Sequence, residues 1–259
     1  MSRPVTYRRS RSPEAASGPT ERPDAGLGAS AWTIPDALTV AAVLLTTLVV
    51  NEMVLSSRLV SVMPVSGRIA TRAVVLTAFY AIQVWTLVVL TRRHGHGFTD
   101  AFAMRVKLST GGVLSASLLV CVLLFATRMA ATGWGLIASA IGWTPPETGT
   151  LKQLFGSGGL GLGLALMLVV LVAPLVEELC FRGVITRALA ARMPAPAAIV
   201  VGSAVFSAYH LTAWVMVPTF ILGCALGWVA LTRPTIWPAV ALHALYNGVV
   251  VAAAYFVQA

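Results

Sequence analysis

The sequence predicts an all-α protein, a polytopic bundle of about seven transmembrane helices with room for an eighth. Three observations lead there. Of 259 residues, 58% are hydrophobic and only 10% are Asp, Glu, Lys or Arg, where a soluble domain carries about 25% charged residues. The mean hydropathy is +0.84. The apolar residues also fall in uncharged runs near the ~20 residues that a helix needs to cross a bilayer core. These runs lack the two-residue alternation of a membrane β-barrel, and a water-soluble globule is excluded.

Residues 1–32 differ in kind from the rest of the chain. Arg3, Arg8, Arg9, Arg11 and Arg22 are scattered among Ser, Pro and Gly, and such a segment buries too little surface to fold, so a disordered basic tail is expected. The polar leader is long and no small-residue cleavage site comes after the first apolar run. An uncleaved first helix is therefore preferred over a signal peptide. Spans are expected over roughly 37–56, 73–91, 110–127, 161–186, 196–214, 216–232 and 236–256. Residues 131–143 are too short for a span and read as an interfacial or re-entrant piece; an eighth crossing there would invert the sides of the later helices. The chain thus divides into the tail, N-terminal membrane helices over 33–157, and a second membrane region over 158–259 that holds most of the polar residues within spans.

The charge is lopsided, with 18 Lys+Arg against 9 Asp+Glu and a formal net charge of +9. Nucleic acid is not expected as a partner, because the basic residues lie between apolar runs, where they suit the anionic cytoplasmic face of a bilayer. Seven spans place 13 of the 18 basic residues on one side and 5 on the other, which predicts a cytoplasmic N-terminus. Cys121, Cys180 and Cys224 lie in or beside apolar runs without a CxxC pair, so neither a disulfide framework nor a cysteine zinc site is expected. Trp134, Trp143, Trp214 and Trp237 fall near span ends and suit interface anchoring. Of the four histidines, His94 and His96 sit in a Gly-rich basic loop and read as surface residues.

Ionisable groups within lipid are costly and therefore informative. Three constellations stand out. In the fourth span, Glu178 and Arg182 are four apart, share a helix face and can pair. Glu177 points about 100° away and lacks that partner. In the fifth, Phe206 precedes His210 by one turn and can pack on its imidazole. In the seventh, His243 and Asn247 are four apart and directed at one place. Each alone has a plain structural explanation: a charged helix end, a satisfied core histidine, a helix-packing pair. Together they offer a carboxylate to take a proton from water, imidazoles to orient that water, and an amide to donate to an oxyanion, a set suited to hydrolysis.

These motifs, Glu177-Glu178-x-x-x-Arg182, Phe206-x-x-x-His210 and His243-x-x-x-Asn247, resemble in order those of the CAAX protease and bacteriocin-processing family. Those intramembrane endopeptidases include the eukaryotic Ras-converting prenyl-protein enzymes. The resemblance covers roughly residues 160–256 and implies a catalytic region there. It implies that Glu177 activates the attacking water, that His210, His243 and Asn247 hold it and stabilise the tetrahedral intermediate, and that Glu178, Arg182 and Phe206 support them. Two His, a Glu and an Asn could also ligate zinc, through Glu177, His210 and His243; the residues leave metal dependence open, with a lean towards a carboxylate-activated water alone.

No His-Glu-x-x-His zincin motif is present. Ser157 between Gly156 and Gly158 lacks a nucleophile-elbow arrangement and reads as a flexible connection. Glu52, beside Asn51 in the first span, reads as a partner for a nearby arginine or a near-surface residue. The expected substrate is a peptide precursor or a membrane protein at the bilayer. The Arg-rich, Lys-poor composition fits a GC-rich bacterial genome and a bacterial plasma membrane. The competing reading is a non-catalytic membrane protein, such as a transporter, immunity or scaffold factor, whose polar residues hold helices together.

Overall fold

The computed structural model describes residues 32–105, 107–143 and 150–257. The expected basic tail lies outside these residues except for Trp32. Among the described residues the fold is all-α, and six helices are long and apolar enough to cross a membrane. These are α1 (Ile34–Leu55), α2 (Val65–Arg93), α3 (Thr110–Ala140), α4 (Gly159–Ala190), α6 (Ala213–Thr232) and α7 (Trp237–Val257). Between them, α5 (Ala195–Tyr209) is apolar but has 15 residues, about 22 Å at the α-helical rise, short of a hydrocarbon core of ~30 Å.

Local chemistry sets the boundaries. Thr33 and Asp36 form a capping box at the start of α1, with Pro35 in its first turn, which satisfies donors that the helix start leaves open. Ser109 caps α3 through the Gly112 amide. α2 begins eight residues earlier than the hydropathy pattern indicates, because Arg68 and Arg72 find carbonyl partners in Ser61 and Leu154 and so are tolerated within a helix. Residues 131–143 are not a separate interfacial piece. α3 runs through to Ala140 without a break, since Gly133 and Gly135 weaken a helix without ending it.

α4 carries Pro174 in its interior. Proline removes a hydrogen bond and crowds the carbonyl four residues back, and the preceding turns, Leu166–Val172, widen into a π-helix. A second π-helical stretch spans Leu179–Thr186; such widened turns re-aim side chains within an otherwise regular helix. There a Cβ on Gly183 would fall 2.6 Å from the Phe102 ring. α5 and α6 pack through small residues, Ser203 on Gly223 and Ile199 on Gly227, as membrane helices do when dispersion replaces the hydrophobic effect.

Contacts between distant segments define two ends of the bundle. At one, Trp32 stacks on Phe102, the Arg187 guanidinium donates to the Ala101 carbonyl, and Thr235 and Trp237 donate to the carbonyls of Ala103 and Met104. His94 belongs here too. It is not simply a surface residue: its Nε2 lies 3.0 Å from Asp36 and its ring meets Trp32 edge-on. At the other end, Tyr255 donates to the Gly156 carbonyl, and Trp134, Trp143 and Trp214 cluster with ring centroids 5.6 to 6.4 Å apart. The three cysteines are unpaired. Glu52 is exposed and accepts from the Asn51 amide.

Candidate active site

The site is assembled from α4, α5 and α7, with α6 closing one side. Glu178 is fully buried, Arg182 is 1% exposed and His243 is 2% exposed. The expected pair forms: Arg182 Nη1 donates to Glu178 Oε1 at 2.9 Å. The same oxygen receives His243 Nδ1 at 2.8 Å, while Arg182 Nη2 donates to the Gly223 carbonyl at 3.2 Å. One carboxylate oxygen thus ties α4 to α7, and the arginine extends the tie to α6.

This arrangement sets the chemistry of His243. A carboxylate already paired with arginine accepts, so Nδ1 carries a proton, and in the neutral form of the ring Nε2 presents a lone pair. That nitrogen lies 3.9 Å from Glu177 Oε2, a separation that one bridging water spans better than a direct bond. His210 repeats the pattern by other means. Its Nδ1 lies 2.9 Å from the Phe206 carbonyl, which can only accept, so again Nε2 is the free lone pair. His210 caps the end of α5, and Leu211 immediately after it turns the chain with φ +54°, a left-handed conformation unusual for a branched residue. That turn holds His210 beside the cluster.

Phe206 does more than pack on one imidazole. Its ring lies 4.9 Å from His210 and 5.6 Å from His243, both edge-on, and the Arg182 guanidinium sits over it at 4.2 Å. It is a fully buried spacer that fixes the separation of the two imidazoles and offers its π-face to a cation held away from water. Asn247 is placed differently from the others. One turn beyond His243, its amide donates to the Val169 carbonyl at 2.9 Å, in the first π-helical stretch of α4. The structure therefore brings Glu177, Glu178, Arg182, Phe206, His210 and His243 together, and engages Asn247 along the same α4–α7 seam.

Among the described residues, no group of three or more His, Cys, Asp or Glu side chains is arranged to hold a metal ion. Glu177, His210 and His243, the zinc ligands considered from sequence, do not form such a set.

Residues 159–249 match the family described as Rce1-like, type II CAAX prenyl endopeptidase. This C-terminal region is similar to that family. The match spans α4 to α7 and includes every residue of the cluster, and at family level it carries a protease role in a chain whose helices are built for a membrane. Comparison with curated proteins and with solved structures gives no match.

Sequence reasoning missed the Gly223 carbonyl, because a backbone acceptor has no residue-type signal. The glycine there packs closely: a Cβ would lie 3.0 Å from Ser203 Cβ and 3.2 Å from its Cα, tighter than ordinary contact. Gly223→Val should force α5 and α6 apart and draw the carbonyl from Arg182. We expect a loss of about 1–3 kcal/mol, read as a lower thermal midpoint in detergent micelles.

Proposed function

We propose that the protein is an intramembrane endopeptidase in which Glu177 activates a water molecule held by His210 and His243. The observation that carries this reading is the pair of imidazoles whose Nδ1 atoms are both committed, to Glu178 and to the Phe206 carbonyl, leaving both Nε2 lone pairs in the cluster with Glu177. A water that donates one proton to Glu177 and the other to one of these nitrogens is held with its oxygen lone pairs free to attack.

In the reaction, the water gives one proton to the Glu177 carboxylate as its oxygen bonds to the scissile carbonyl carbon. The carbonyl π pair moves to its oxygen, forming the tetrahedral oxyanion. Collapse of that intermediate breaks the C–N bond, and the proton held by Glu177 passes to the departing amine. Asn247 has two amide N–H groups; one serves Val169 and the second serves the oxyanion. Glu178 and Arg182 position His243 without touching substrate. The substrate is a peptide precursor or membrane protein presented in the bilayer of a bacterial plasma membrane. The end of the bundle carrying Arg92, Arg93, Arg187, Arg192 and Arg233 faces the cytoplasm, as does the N-terminus.

A comparison of the proteomes of cells carrying wild type or Glu177→Ala tests this reading: a precursor should accumulate only with the variant. Identical proteomes would remove the protease assignment of the cluster.

One observation favours the competing, structural reading: the Asn247–Val169 bond ties α7 to α4 without reference to any reaction. Asn247→Ala separates the two. A purely structural role lowers stability by about 1 kcal/mol and leaves turnover unchanged; the proposed role lowers kcat by roughly 10²-fold or more, measured on the accumulated precursor.

A further inference from the structure

Arg128 of α3 is an ionisable residue within a span that the site does not use. Its guanidinium sits 4.9 Å over the Tyr246 ring of α7, beside the phenol hydroxyl. Tyr246 is nine residues from Trp237 and nine from Tyr255, about 14 Å of helix in either direction. Those two residues are tied at opposite ends of the bundle, to the Met104 and Gly156 carbonyls. The ring therefore holds the guanidinium near the middle of the bilayer, where a long basic side chain otherwise reaches for the interface.

An aromatic face offsets part of the cost of a cation in lipid, but it carries no net negative charge. Among the described residues, no carboxylate lies within ion-pair distance of Arg128. The side chain is half-buried rather than sealed. α3 packs against α6 and α7 and leaves Leu118, Val122, Phe125 and Met129 exposed. Spacings of four, three and four residues align them on one face, the pattern of a helix-packing seam. Arg128 lies about 90° from that stripe around the helix, at the edge where α3 meets α7. On α7, Leu245 and Val249 are also exposed, on the flank of Tyr246 away from His243 and Asn247.

What the guanidinium lacks is an anion at its own depth. A lipid phosphate lies at the surface, half of a ~30 Å core away. A second copy of the chain offers Glu52 as an exposed carboxylate on a described membrane helix, and Glu52 stands only three residues from the end of α1. A carboxyl near the middle of another protein's membrane helix meets both the depth and the fork, whose paired N–H groups match two carboxylate oxygens. Alone in lipid such a carboxyl is kept neutral by its proton; beside a guanidinium it is held ionised.

We propose that the α3 stripe and Arg128 form a docking face for a membrane helix of another protein that carries one Asp or Glu at mid-depth, its carboxylate paired with the guanidinium. The inference stands apart from the endopeptidase reading, because Tyr246 faces α3 while the cluster is built towards α4.

The probe is a synthetic Leu/Ala helix of span length with a single Glu at its centre, which presents the carboxyl at the same depth in either orientation. Its counterpart carries Gln there. Each bears a dansyl group, and binding to the purified protein in phosphatidylcholine vesicles is read as energy transfer from the protein's tryptophans. Wild type should bind the Glu helix about 10-fold more tightly than the Gln helix. Arg128→Leu should bind both as weakly as wild type binds the Gln helix, and Arg128→Lys should keep part of the preference. Equal binding of the two helices by wild type would overturn the proposal, and so would a preference that survives in Arg128→Leu at an unchanged thermal midpoint. If wild type shows no preference, and phosphatidylglycerol raises its thermal midpoint but not that of Arg128→Leu, the guanidinium serves a lipid phosphate and the proposal falls.

Discussion

Arg182→Ala is expected to destabilise the protein by about 3–5 kcal/mol, the cost of removing one partner from a buried ion pair. Glu178 is fully buried, and its Oε2 already lacks a hydrogen-bond partner. The carboxylate is tolerated because Oε1 is shared between Arg182 and His243. Without the guanidinium, Glu178 must either hold an uncompensated charge or take up a proton. A protonated Glu178 no longer fixes the Nδ1 proton of His243, so loss of stability and loss of the site's geometry go together. Arg182→Lys keeps the charge but not the fork, and one ammonium cannot reproduce the geometry that reaches both Glu178 and the Gly223 carbonyl. It should recover only part of the loss. Denaturant unfolding in micelles, followed by helical signal, checks the order wild type, Lys variant, Ala variant.

Glu177→Gln should behave in the opposite way, with turnover lost and the fold retained. Glu177 is 8% exposed, and His243 Nε2 lies 3.9 Å from its Oε2, outside direct hydrogen-bond reach. The amide has the shape of the carboxylate but cannot take a proton from water. General-base catalysis contributes 10²–10⁴-fold, and kcat should fall by roughly that factor. The thermal midpoint should stay near that of wild type. The expected contrast between two adjacent glutamates, one paired with Arg182 and one proposed as the general base, follows from the turn of about 100° between successive helical residues.

The pairing of Glu178 with Arg182 was legible in the sequence, because the i,i+4 spacing decided which glutamate was paired. The membrane helices were legible for the same kind of reason: apolar length is a one-dimensional property. Helix ends were less so. α2 extends past Arg72 because that side chain reaches a carbonyl 82 residues away, which no local pattern reports. α3 absorbs residues 131–143 because glycine alone does not stop a helix. His94 looked superficial in a basic loop, yet it pairs with Asp36 across two helices. In the site, residues with titrating or amide side chains were found from their types and spacings.

The central claim is that the buried α4–α5–α7 cluster hydrolyses a peptide bond through Glu177. The most direct measurement compares purified wild type and Glu177→Gln in proteoliposomes against the precursor that accumulates in the Glu177→Ala cells. The account predicts cleavage by wild type and a rate at least ~10²-fold lower for the variant, with both proteins unfolding at the same temperature. Cleavage by Glu177→Gln at the wild-type rate would contradict it.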